Sequence, residues 1–155
     1  MREIMFRGKR CDNDEWAHGF YVRADHHWHE HGVHKDWIIC GASANGGWFA
    51  LRKKYAVKPG TVGQFTGKVD KNGKKVFEHD VLQTFTVWDD GTVKKCDVGV
   101  VQWQGNDQCY VLATKEGYHI DDFGNYGRPE YFEVIGNIHD NPELSGERKD
   151  NGNEN

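Results

Sequence analysis

Residues 70–91, DKNGKKVFEHDVLQTFTVWDDG, decide the class of fold. The stretch opens on Asp70-Lys71-Asn72-Gly73-Lys74. Asn-Gly is the strongest short turn signal, because both residues tolerate positive φ. It closes on Asp89-Asp90-Gly91, a second turn. Between them, Val81 to Trp88 is rich in β-branched and aromatic residues and is too short for an ordinary helix, so it reads as a strand. Asp80 stands where a tight turn enters that strand and is expected to accept backbone hydrogen bonds there.

The same grammar continues in both directions. Upstream, Ile4–Phe6, Glu15–Arg23, Asp36–Cys40, Trp48–Val57 and Thr61–Gly67 read as extended segments, with Gly41–Gly47 a flexible connection. Downstream, Val98–Trp103 and Cys109–Thr114 flank a turn at Gly105-Asn106-Asp107, and Glu130–Ile138 is a final strand. No segment longer than a turn or two shows helical periodicity, and nothing repeats. Short strands at roughly ten-residue spacing joined by tight turns predict an all-β, mainly antiparallel fold. The architecture expected is an SH3-like barrel with additional N-terminal strands. One domain is expected over residues 1–144. Residues 145–155 carry no apolar side chain and are expected to be a disordered polar tail.

Composition agrees with this class. Nineteen glycines imply many turns, and an aromatic content of 13% lets a few large rings fill a core that is only 37% apolar by residue count. The longest uncharged run, Trp37–Leu51, is too short and too polar to span a membrane. The opening Met-Arg-Glu-Ile-Met-Phe-Arg has no apolar core of signal-peptide length, so the expected compartment is the cytoplasm. Cys11, Cys40, Cys96 and Cys109 form no Cys-x-x-Cys pair, and four reduced, largely buried thiols are expected.

The net charge of −4 argues against simple nucleic-acid binding, but its distribution is uneven. Arg52 to Lys95 holds ten Lys/Arg against five Asp/Glu, whereas the rest holds ten against nineteen. Tyr55, Phe65, Phe77 and Phe85 are interleaved in this basic 52–95 segment. Basic and aromatic residues together permit single-stranded nucleic-acid binding, although rings alternating at strand periodicity are more often core.

Material for catalysis is scarce. The only serines are Ser43 and Ser145, and neither lies in a Gly-x-Ser-x-Gly elbow. There is no phosphate-binding glycine loop, and the pairs Asp89-Asp90 and Asp121-Asp122 fall in turns. No catalytic residue, no cofactor and no enzymatic activity are expected. The sharpest local feature is histidine: His26, His27, His29, His31 and His34 fall within nine residues. On an extended strand His27, His29 and His31 share a face, and three imidazoles suit zinc, nickel or copper. The same His26–His34 stretch also reads as a solvated polar loop or a pH-responsive surface.

Three stretches carry a family resemblance. They are Met1–Arg10 with Glu15-Trp16-x-x-Gly19-Phe20-Tyr21; Val57-x-Pro59-x-Thr61 to Gly67 with Asp70–Lys74 and Phe77-Glu78-x-Asp80-Val81; and Phe132-Glu133-Val134-Ile135-Gly136-Asn137-Ile138-His139-Asp140-Asn141-Pro142-Glu143-Leu144. In this order the chain resembles the YopX-like family of bacteriophage and prophage proteins. The resemblance implies a phage or prophage gene in a bacterial host and a barrel-like β fold, and it carries over no activity. His79 stands where the family usually has Gly, which argues against a left-handed backbone there. The function expected is a non-enzymatic interaction module in the bacterial host cytoplasm, self-associating or binding a host or phage protein. A nucleic-acid-binding accessory protein and a metal-binding protein are the alternatives.

Overall fold

A computed structural model describes residues 3–24, 35–43, 50–115, 119–120 and 131–145. The expected all-β class holds. Every strand pairing described is antiparallel, and the helical turns, at Pro59–Thr61, at Tyr131 and in α1 (Pro142–Ser145), are short. None of these is long and apolar enough to cross a membrane. The chain divides into two compact units, Met1–Gly67 and Lys68–Asn155.

The first unit contains β1 (Phe6–Lys9), β2 (Trp16–Ala24), β3 (Lys35–Ser43), β4 (Ala50–Val57) and the start of β5 (Gly63–Val69), in spatial order β4-β3-β2-β1-β5. Alternation sorts its residues by face. Ala17, Ile38 and Val57 form the buried core, flanked by Phe6, Tyr21, Cys40, Tyr55 and Val62. One buried polar pair sits in this layer: the Tyr21 hydroxyl donates to Asp36 Oδ1. Burial, then the hydrogen bond and charge of Asp36, push the Tyr21 pKa up. Two glycines make the close strand approach possible. A Cβ on Gly19 would lie 2.1 Å from the Ile39 carbonyl oxygen, and one on Gly8 would meet Val57 at 3.0 Å.

The second unit contains β6 (Lys75–Phe77), β7 (Asp80–Val87), β8 (Val93–Gln104), β9 (Cys109–Thr114), β10 (His119–Ile120) and β11 (Phe132–Asn137). Its sheet runs β10-β9-β8-β7-β11. Val76, Leu82, Val101, Leu112, Phe132 and Val134 form its core, with Tyr110 and Tyr131 packed against them. The Asn-Gly turn forms as its chemistry dictates: Gly73 has φ +77, and Asp70 N–H donates to the Lys74 carbonyl at 2.9 Å. Asp70 itself is 1% exposed. Its Oδ1 accepts from the backbone N–H of Asn72 and Lys74 (2.8 and 2.9 Å), and its Oδ2 accepts from that of Val134 (3.0 Å). One carboxylate thus closes the turn and satisfies an amide of β11. Burial alone would raise its pKa, but the Val134, Lys74 and Asn72 amides and the Lys74 charge outweigh burial and hold it below the ordinary value.

Several expectations are corrected in detail. The first strand is Phe6–Lys9, not Ile4–Phe6, because pairing with β2 extends through Arg7 and Lys9, whose cations lie over the Trp16 ring. β8 begins at Val93, five residues before the expected start. Its polar opening pairs with the end of β7 in an exposed ribbon, where no core contact writes an apolar pattern. The cysteines are free, but Cys11 and Cys96 are exposed, not buried. Beyond Ser145 the expected tail lies outside the described residues.

Candidate functional site

Two places bring chemistry-bearing side chains together, one in each unit. In the second unit the family stretches at 77–81 and 132–144 meet because β7 pairs with β11, Asp80 lying opposite Asn137. Asp80, 1% exposed, accepts the Phe77 N–H at 2.8 Å, as its position before the strand predicts. His79 has φ +70, in the region the sequence argued against. His79 N–H donates to the Val101 carbonyl (2.9 Å), and its own carbonyl accepts from Ile138 (3.0 Å). Asn137 Oδ1 accepts the N–H groups of His139 and Asp140 at 3.0 and 2.9 Å, and its amide donates to Asp140 Oδ2 at 2.7 Å. The result sets His139 Nε2 3.2 Å from His79 Nδ1, the rings edge to face with centroids 5.1 Å apart. Sequence reading missed this pair because the two histidines are sixty residues apart and only the strand register joins them.

In the first unit, the outward positions of the sheet are Trp16, His18, Phe20 and Val22 on β2, Trp37 and Ile39 on β3, and Lys54 and Ala56 on β4, matched across strands by the pairs Phe20–Ile39, Val22–Trp37, Trp37–Ala56 and Ile39–Lys54. Phe20 is 59% exposed and Val22 41%. The Lys54 ammonium lies 5.0 Å over the Trp37 ring. No Asp or Glu occupies an outward position of β2, β3 or β4, so the face combines apolar side chains with positive charge alone. The other large exposed apolar residues are scattered; Trp88 and Val93, for example, flank the turn carrying Asp89 and Asp90.

The sequence candidates fare unequally. His27, His29 and His31 lie outside the described residues. Among the described residues no group of three or more His, Cys, Asp or Glu is placed to hold a metal ion. The basic 52–95 segment is divided between the two units. Phe65, Phe77 and Phe85 are buried and Tyr55 is half-buried beneath Arg10, so these rings belong to the packing and present no stacking platform.

Fold and sites define an all-β, mainly antiparallel protein whose turn motifs are internally hydrogen bonded and whose first sheet exposes Phe20 and Val22 on a face that carries cations but no carboxylate on β2–β4. The chain belongs to the YopX protein family, whose model matches residues 5–145. It is similar in fold to the crystal structure of protein EF1440 from Enterococcus faecalis, at 19% identity and a TM-score of 0.60, over 94% of this chain and 99% of that one. Among curated proteins nothing matches.

Proposed function

We propose that this chain is a non-enzymatic interaction module, encoded by a bacteriophage or prophage and acting in the bacterial host cytoplasm. It binds an acidic, partly apolar protein surface through the outward face of β2–β3–β4. The observation that carries this reading is the face itself: Phe20 and Val22 exposed side by side, flanked by Trp37 and Lys54, with no acidic residue at any outward position. Covering side chains of this kind is worth roughly 1.5–3 kcal/mol each, and a positive field favours and steers an acidic partner. Capture from host lysate by wild-type chain and by a Phe20→Ser/Val22→Ser variant tests it, each with and without nuclease. The reading expects an acidic protein retained by wild type, insensitive to nuclease and lost in the variant. A wild type that captures nothing, or a variant that captures as well, overturns it.

A second reading, single-stranded nucleic-acid binding, is favoured by the same mixture of cations and rings. The Trp37 ring is already covered by Lys54, which leaves Phe20 as the one well-exposed ring among the described outward positions of β2–β4, so the aliphatic character of the face favours protein. Titration with single-stranded DNA across a salt series separates the two readings. Affinity that falls steeply with salt supports the nucleic-acid reading, and no binding at low salt removes it.

A further inference from the structure

We propose that His79 and His139 form a binding site for a divalent transition-metal ion that favours imidazole (zinc, copper or nickel), with water completing the coordination. This site lies in the second unit.

The distance between the two facing nitrogens is the first observation. With imidazole–metal bonds of about 2.0–2.1 Å, two ligands stand about 2.9 Å apart at a right angle and about 3.3 Å apart at the tetrahedral angle. His139 Nε2 and His79 Nδ1 are 3.2 Å apart, inside that interval. Both nitrogens therefore stand at the separation one shared ion requires, each ring turning its lone pair from the other nitrogen toward the ion.

The second observation is the backbone beneath His79. A β-carbon at φ +70 is strained relative to glycine, and such strain clusters where a side chain has work to do. Here the strain places an imidazole against the other histidine of the corner. Both backbones are fixed by hydrogen bonds: His79 through Val101 and Ile138, and His139 through Asn137. A ligand pair held this way loses little freedom on binding. His79 and His139 are both half-buried.

The proton accounting is simple. Without metal, one of the two facing nitrogens carries the shared hydrogen and the other accepts it. Metal binding replaces that hydrogen, which moves to the far nitrogen of the same ring as its tautomer changes. Two neutral rings thus coordinate with no net proton release. Asp140, exposed beside His139, and the buried Asp80 beside His79 add negative charge that favours a cation.

The experiment uses the full chain purified without an affinity tag, with His26, His27, His29, His31 and His34 all replaced by Asn so that the loop contributes nothing. Zinc chloride is titrated in by calorimetry, and thermal melting is followed with and without zinc. One equivalent is expected to bind and to raise the melting temperature, since the ion binds only the folded pair. His79→Gly relieves the backbone strain and is expected to melt no lower than its parent without zinc. It is also expected to bind zinc about 100-fold more weakly or not at all, and His139→Gln is expected to lose binding likewise. No zinc binding in the loop-substituted chain overturns the proposal, as does binding that survives both His79→Gly and His139→Gln.

Discussion

Replacing Asp70 by Ala removes the acceptor of three backbone amides at once. The Val134 amide sits on a buried strand position, where an unsatisfied donor costs about 1–3 kcal/mol. Asn72 and Lys74 lie on an exposed turn where water can replace the carboxylate, so each contributes about 0.5–1 kcal/mol. The expected loss is about 2–5 kcal/mol, a large part of the 5–15 kcal/mol that holds a typical domain together. Urea unfolding of wild type and Asp70→Ala measures it, and the midpoint should fall with an unchanged slope. The pH dependence supplies a second arm. Asp70 has a folded pKa below its unfolded value of about 3.9, so its stabilisation is fully present above that value. It is lost as pH falls from about 4 through the lower folded value, and this part of the acid slope should be missing from Asp70→Asn. A loss under about 1 kcal/mol in Asp70→Ala, or an unaltered acid slope in Asp70→Asn, would refute the assignment of this carboxylate as the pin between turn and strand.

Three other substitutions probe the two units. Gly19→Ala forces a methyl onto the Ile39 carbonyl oxygen and is expected to cost more than about 3 kcal/mol or to prevent folding, read by circular dichroism and urea melts. Leu82→Ala, at a fully buried core position, should cost about 2–5 kcal/mol in the same assay. Tyr21→Phe leaves buried Asp36 without its phenolic donor and should cost about 1–3 kcal/mol in the same assay.

Much of the fold is legible in the chain because turns announce themselves. Asn72-Gly73 fixes where β6 begins and Asp89-Asp90-Gly91 where β7 ends, and Gly73 and Gly91 take the positive φ that such turns require. Asp80 is readable as a cap for the same local reason. What is illegible is whatever depends on register. The opening of β8 is polar, and only its partners Phe85–Val87 make it a strand. Phe20 and Val22 read as ordinary strand residues, and their exposure follows from which parity β2 turns toward Ile38 and Val57. His79 and His139 meet through the β7–β11 pairing alone. Chemistry concentrated in a local run, as in His26–His34, is conspicuous in a sequence, whereas chemistry assembled across strands is not.

The central claim is that the protein meets its partner through its β2–β3–β4 face and that the motif stretches at 70–81 and 132–144 take no part in that contact. Hydrogen–deuterium exchange of the chain alone and bound to the protein it captures tests this most directly. The account predicts new protection confined to residues 16–24, 35–43 and 50–57, with the Asp70 turn and the His79–His139 corner unchanged. Protection centred on residues 70–80 and 134–141, with the β2–β4 amides exchanging as before, would contradict it.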